Sequence, residues 1–373
     1  MRRLLAMFHL GLEIYVSAIV VVDHLLRFLN MRRLMSLSVV SLFLLVAACS
    51  AGDSMSSVGG MESAVEEESA QPETSSVEVV EECDPLVAHP KGAFEFDPQV
   101  DESLPESWRT EFPVILATLQ EVGPISPCIH DLREDPAKSP MKIYAWSSAV
   151  DSPFEGERPG MEGASVSGDG TDTWMVLEIR SDEFEYDSLH RYSVVAHEYW
   201  HVYQRGAWTG QGLSYPDWMW EGGAKVLEEL YIAEHYGQSE LDRNLFPVIA
   251  TALGNPSDFG LYERDGGAVG GDSDQNYNTS AFMVLALAKE LQERQGLTEA
   301  ESLGLVLKAP APSGSETPFL DVFGMSLEEF YTSLAQYPAV ASGEDWFEGD
   351  VIDASVVMPN KGLTLAGILQ SAN

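Results

Sequence analysis

Cysteine is scarce in this sequence, with three in 373 residues: Cys49, Cys83 and Cys128. Their spacing matches no cysteine metal site, which excludes a zinc-finger or iron–sulfur class of protein. If Cys49 is modified, as proposed below, Cys83 and Cys128 remain as a pair. Two such cysteines outside the cytoplasm usually form a disulfide, and two unpaired thiols are the alternative.

Basic residues are also few, because 21 Lys and Arg stand against 59 Asp and Glu, a formal net charge of −38. Such a field repels nucleic acid and anionic lipid headgroups, so we expect neither as a partner. Long apolar runs are lacking near the start, where Ile14–Val22 is bounded by Glu13 and Asp23. This run is too short to span a bilayer.

Residues 31–48 have the pattern of a signal peptide. Arg32 and Arg33 precede an apolar run, Leu37–Leu45, and Val46–Cys49 follows it. This ending resembles a bacterial lipobox, which implies cleavage before Cys49 and lipid attachment to its sulfur. Ordinary cleavage near Ala48 is the alternative. Residues 1–30 are interpreted as a mis-assigned start or leader extension, since Met-Arg-Arg-Leu recurs at position 31.

The segment after the lipobox has the composition of a disordered tether. Residues 50–82 contain nine acidic residues, eight serines and no Lys or Arg. With few large apolar side chains to bury, we expect residues 49–84 to stay unfolded. A domain over residues 85–340 follows, and then a tail, 341–373, with one possible edge strand at 351–358.

Hydrophobic periodicity predicts an α+β fold with a small mixed β-sheet lobe on a mainly helical lobe. Asp217 and Ser326 are predicted N-caps, and Glu329 completes a capping box with Ser326. The glycine- and proline-rich stretch 153–170 is predicted as a loop. The predicted strands are 93–96, 141–146 and 173–179, and the predicted helices begin and end near 105–122, 186–205, 217–235 and 276–295.

The most informative motif is His-Glu-x-x-His at residues 197–201. Two histidines four apart on a helix share a face, so His197 and His201 can reach one metal ion. Glu198 between them is a candidate general base. The metzincin arrangement requires Gly and His where this chain has Gln204 and Ala207, and is excluded.

A catalytic zinc site needs three protein ligands, and Glu221 is the candidate for the third. It lies in the first turn of the next predicted helix, and nineteen residues (202–220) separate it from His201. Gly222 and Gly223 are poor helix residues, which suggests close approach to a neighbouring helix or to substrate. Glu228, two turns further on, is the candidate hydrogen-bond partner of a ligand histidine.

With Trp218–Ala224 matching a Trp-x-x-Glu-Gly-x-Ala element, the chain resembles the gluzincin metallopeptidases over roughly residues 93–337. The closest likeness is to the aminopeptidase N group and the broader peptidase MA-like family. The resemblance implies a thermolysin-like catalytic domain and Glu221 as third zinc ligand. It also implies that Tyr277 hydrogen-bonds the oxyanion, and that the strand 173–179 lies at the sheet edge. Lys225 departs from thermolysin-like members, which carry Asp there.

These observations predict a zinc-dependent metallopeptidase in the bacterial cell envelope, with one Zn²⁺ per chain. A zinc-activated water would attack the peptide bond, and Glu198 would take its proton. We expect a monomer that meets the membrane only through its lipid anchor and takes a peptide or protein substrate. One alternative is a catalytically inactive, zinc-stabilised surface lipoprotein that binds a partner; another is a hydrolase of a non-peptide substrate.

Overall fold

The computed structural model describes residues 94–125, 140–168, 172–208, 212–239, 241, 256–263, 273–312, 314–341 and 350–371. The proposed signal peptide, the tether and all three cysteines lie outside these ranges. No helix within them is long and apolar enough to cross a membrane. The described part has an α+β fold, which confirms the predicted class.

A four-stranded mixed sheet has the order β1-β2-β4-β3. β1 to β2 and β2 to β4 are parallel, and β3 is antiparallel to β4. The bounds are Phe96–Val100 (β1), Met141–Ser147 (β2), Ala164–Gly168 (β3) and Thr173–Ile179 (β4).

Two predictions about this sheet are wrong. β4 pairs on both sides, so it is not the edge strand that the resemblance implied. The edge strand next to β4 is β3, which lies inside the stretch predicted as a loop. Its sequence Ala-Ser-Val-Ser-Gly has little strand propensity of its own, because small residues pack poorly on a pleated surface. Pairing with β4 forms the strand.

Eight helices account for most of the rest of the described chain. Their bounds are Glu106–Val122 (α1), His190–Ala207 (α2), Asp217–Tyr236 (α3), Ser273–Gln295 (α4), Glu299–Lys308 (α5), Pro318–Phe323 (α6), Leu327–Leu334 (α7) and Leu365–Ser371 (α8). The most extensive contacts between helices join α3 to α4 and α2 to α3. This three-helix stack carries the site.

Several predicted helix starts are displaced. α2 begins at His190 rather than near 186, because Asp187 has a φ of 56° that no α-helix accommodates. Asp217 is the first helical residue of α3, while Pro216 occupies the N-cap position. The capping box of α7 is confirmed, since the Glu329 N–H donates to Ser326 Oγ (3.2 Å) and the Ser326 N–H to Glu329 Oε2 (2.8 Å).

The C-terminal residues pack onto the domain. Where one edge strand was predicted over 351–358, β6 covers only Asp350–Ile352, pairs with β5 (Ala339–Ala341) and gives way to a 3-10 turn, Ala354–Val357. α8 then contacts α5, α1 and α3 and buries its apolar side chains. The described part of 341–373 therefore contributes to the core.

Candidate metal site

α2 brings the two histidines of the motif together. His197 and His201 are one turn apart, and their ring centroids are 4.7 Å apart at an interplanar angle of 83°. Their Nε2 atoms approach to 3.1 Å. Both side chains are buried, which strengthens their electrostatic interactions with the surrounding groups.

Glu221 completes a triangle of donor atoms. Its Oε2 lies 3.4 Å from Nε2 of His197 and 3.3 Å from Nε2 of His201. Ligand bonds of ordinary length to a tetrahedral zinc ion place donor atoms about 3.3 Å apart. The triangle fits that geometry, and these three residues form a group that can hold a metal ion.

The outer ring nitrogens of both histidines are held by acceptors. Nδ1 of His197 donates to Oε2 of Glu228 (3.0 Å), and Nδ1 of His201 donates to Oε1 of Gln204 (2.9 Å). With the Nδ1 positions protonated, the Nε2 lone pairs point at each other and at Glu221. A cation among these lone pairs would offset their mutual repulsion, so the arrangement suits a metal ion.

The amide of Gln204 is itself oriented by backbone. Its Nε2 donates to the carbonyl oxygens of Met219 (3.2 Å) and Trp220 (2.9 Å) at the start of α3. Oε1 must then face His201, which determines the protonated nitrogen of that ring. The indole of Trp220 also stacks on the His201 ring, at 5.3 Å and 13°.

Glu228 is part of a buried network with a cation. Lys225 donates to Glu228 and to Oε1 of Glu229 (3.0 Å). Burial would raise the pKa of Glu228, but Lys225 and His197 outweigh it and hold that pKa well below its usual range. Burial lowers the pKa of Lys225 and the two carboxylates reverse this, so its pKa is raised.

The electrostatics of the site favour positive charge between the donor atoms. Burial opposes protonation of His197, but hydrogen bonds to Glu221 and Glu228 raise its pKa to about 10. Burial would raise the pKa of Glu221, while its contacts with His197 and His201 lower it to about 2. A divalent cation between these donor atoms would be stabilised by the same carboxylates.

Glu198, the residue after His197, lines a cleft together with that histidine. The side chain is buried, and its Oε2 has no hydrogen-bond partner among the described residues. Burial is the main cause of its raised pKa, and the nearby histidines reduce the effect. A buried carboxylate with an open acceptor position is suited to taking a proton.

A cleft of about 480 Å³ lies beside Glu198 and His197. Tyr277 of α4 lines it, with 36% of its surface exposed and its ring 5.9 Å from the His197 ring at 87°. Tyr277 thus lies next to His197 at the cleft. Ala164 of β3 and Lys225 of α3 also reach the cleft.

The two glycines after Glu221 serve different contacts. A Cβ on Gly222 would lie 2.2 Å from the carbonyl oxygen of Ser280, so glycine allows α3 to touch the α4 backbone. A Cβ on Gly223 would lie 3.0 Å from Nε2 of Gln204. The expected close approach to a neighbouring helix is confirmed, and Gly223 leaves room for the residue that orients His201.

His190 does not join the metal group. Its Nδ1 donates instead to Oε1 of Glu183 (2.8 Å). The sequence-based reasoning missed Gln204, Trp220 and Glu183. For Gln204 a signal exists, because a residue three positions after His201 shares its helix face.

Comparisons with protein-family models, with curated proteins and with solved structures find no match for this chain. Fold and site together therefore define its class: an α+β protein with a two-histidine, one-glutamate group that can hold a metal ion.

Proposed function

We propose that this protein is a zinc-dependent metallopeptidase of the gluzincin type, with a thermolysin-like catalytic domain. The observation that carries the proposal is the triangle formed by His197, His201 and Glu221, with edges of 3.1–3.4 Å. Two imidazoles and one carboxylate are a ligand set that catalytic zinc uses with one position left for water.

A zinc ion held there would act as a Lewis acid and lower the pKa of a bound water toward about 7. Glu198, at the cleft wall with a free acceptor oxygen, takes the proton of the attacking water and passes it to the leaving amine. Glu228 and Gln204 hold the ligand histidines in the tautomer that presents Nε2.

Tyr277 is proposed to donate a hydrogen bond to the substrate carbonyl oxygen as negative charge develops there. Its position beside His197 at the cleft supports this role. β3 supports a peptide substrate, because it pairs on one side only among the described strands and its Ala164 reaches the cleft. An extended peptide could add to that edge by β-augmentation.

We further propose that the enzyme is a lipoprotein of the bacterial cell envelope, anchored through Cys49, with Cys83 and Cys128 as a disulfide. These residues lie outside the described ranges, and the proposal rests on the lipobox-like sequence. The strong negative charge supports the absence of a nucleic-acid partner.

The decisive test is the variant Glu198→Gln in the full chain. We expect it to bind zinc in the same stoichiometry as wild type, because Glu198 is not a ligand. Hydrolysis of an unfolded protein should fall at least about a hundredfold, since the general base is lost. Zinc content and product formation are measured on the same samples.

Glu102→Gln, an exposed change in the turn before α1, is the matched control and should hydrolyse like wild type. Equal hydrolysis by wild type and Glu198→Gln would refute the catalytic role. If wild type and both variants all bind zinc and none of them hydrolyses the substrate, the inactive, zinc-stabilised lipoprotein is favoured.

A further inference from the structure

A second pair of polar side chains lies on the wall of the same cleft. His190, the first residue of α2, donates from Nδ1 to Oε1 of Glu183 (2.8 Å). The Glu183 side chain is only 4% exposed, whereas that of His190 is 56% exposed. The carboxylate is therefore the buried support, and the imidazole is the group presented to the cleft.

The distance along α2 separates this pair from the reacting atoms. His190 lies seven residues before His197, which places it on nearly the same face and about 10 Å away along the axis. An extended peptide advances about 3.3 Å per residue. His190 is thus positioned for a substrate group a few residues from the scissile bond.

The turn that carries Glu183 is held rigidly. The guanidinium of Arg191 donates to the carbonyl oxygens of Glu183 (3.3 Å) and Ser188 and pairs with Asp187. The carbonyl oxygen of Arg191 accepts a hydrogen bond from Trp108 Nε1 (2.7 Å). Asp187, at a φ of 56°, keeps its unusual backbone within these contacts. The pair is therefore preorganised.

The other cations of the cleft already have partners. Lys225 donates to Glu228 and Glu229, and Arg180 forms a two-pronged pair with Asp182. Nε2 of His190 has no hydrogen-bond partner anywhere in the described ranges. Burial lowers the pKa of His190, but its hydrogen bond to Glu183 outweighs burial and the net pKa is raised. The exposed edge of the His190 ring therefore faces the cleft, and the buried Glu183 carboxylate behind it favours the charged form of the imidazole.

We propose that His190, supported by Glu183, forms a subsite that binds a carboxylate group of the peptide substrate. The carboxylate is either an Asp or Glu side chain or the C-terminus, and in both cases the imidazolium donates to it. This inference rests on the proposed peptidase function for its substrate class. It adds a selectivity that the metal site does not provide.

Binding of matched short peptides tests the subsite without hydrolysis. Each pair carries Asp or Asn at one position, or a free or amidated C-terminus, and is titrated by calorimetry into the full-length Glu198→Gln protein. One acidic member should bind about tenfold more tightly than its neutral partner, because a charge-assisted hydrogen bond is lost in the latter. The responding pair identifies side chain or terminus.

Adding His190→Gln to that protein should bring the ratio of the affinities for the acidic and the neutral peptide to about one. Adding His235→Gln instead, an exposed histidine on α3, should preserve it. Glu183→Gln should reduce the ratio as well, since it removes the charge behind the imidazole. No preference in any pair, or a preference that survives His190→Gln, overturns the proposal. The binding result stands even if hydrolysis proves independent of Glu198, which would refute the peptidase function alone.

Discussion

Gln204 shows how a single amide determines the chemistry of a ligand. Its side-chain amide accepts a hydrogen bond from His201 and donates to two carbonyl oxygens of α3, so only one orientation of the amide satisfies all three hydrogen bonds. Had the amide been reversed, its NH₂ group would face Nδ1 of His201 and the wrong nitrogen would carry the proton. The proposed ligand function of His201 therefore depends on this neighbour.

We predict that Gln204→Leu weakens zinc affinity about 10–100-fold, because the His201 ring loses its acceptor. Competition with a chromophoric chelator measures the affinity. Gln99→Leu on β1, at the opposite edge of the sheet from β3, is the control and should bind zinc like wild type. Unchanged affinity in Gln204→Leu would mean that α2 alone orients His201.

Lys225 has an equally specific role, since it offsets two buried carboxylates. Replacing it by Met would remove the ammonium group that both Glu228 and Glu229 bind. We predict a loss of about 3 kcal/mol in the free energy of unfolding, measured by urea denaturation. Lys289→Met removes an exposed cation 3.8 Å from Glu293 and should cost less than about 1 kcal/mol. Similar losses in the two variants would contradict the compensating role of Lys225.

At the scale of elements, the contact between α3 and α4 sets the position of Glu221. This contact is possible only because Gly222 has no side chain where the α4 backbone passes. Glu221 precedes it directly, so any separation of the helices also moves the ligand carboxylate. Helix packing and the proposed metal binding are thus coupled through neighbouring residues.

We predict that Gly222→Ala lowers the free energy of unfolding by about 1–3 kcal/mol, even though alanine favours helix by about 1 kcal/mol. Backbone atoms of Ser280 cannot yield to the new methyl group. Gly223→Ala comes closest to the Gln204 side chain and its nearest contacts are all side-chain atoms, so it should cost less stability while weakening zinc affinity. Urea denaturation and zinc titration separate the two effects. The reverse order of stabilities would refute this assignment of the two contacts.

At the scale of the whole molecule, the site joins α2 to α3, and α4 packs against α3. A metal ion bound to ligands from two helices would therefore stabilise the native chain as a unit. The formal charge of −38 adds to this expectation, because a bound cation reduces local repulsion among acidic groups.

Chelation should accordingly lower the thermal unfolding midpoint. Free zinc at about 1,000 times its dissociation constant contributes about 4 kcal/mol to native stability, and a chelator removes that contribution. Differential scanning calorimetry with and without chelator measures the shift. In His201→Ala the shift should largely vanish. A chelator that leaves the wild-type midpoint unchanged would argue against metal binding.

Several parts of this protein followed from local pattern alone. The helical spacing of His197 and His201 brings their rings together wherever α2 lies in the fold. The capping box at Ser326 and the strand Thr173–Ile179 follow equally from neighbouring residues, because a capping box and a short apolar run each extend over a few positions. The grouping of Glu221 with the two histidines could also be predicted from the sequence, because a catalytic metal site of this kind needs a third donor.

Only the tertiary structure decided which partners these elements meet. β3 became the edge strand through pairing with β4, although its own residues have little strand propensity. Gln204 can orient His201 because the backbone carbonyls of Met219 and Trp220, fifteen and sixteen positions later in the sequence, lie against its amide. His190 and Glu183 face the cleft because Arg191 donates hydrogen bonds to two carbonyl oxygens of the turn between them and holds it in place. Such contacts depend on packing between separate elements, which no local pattern encodes.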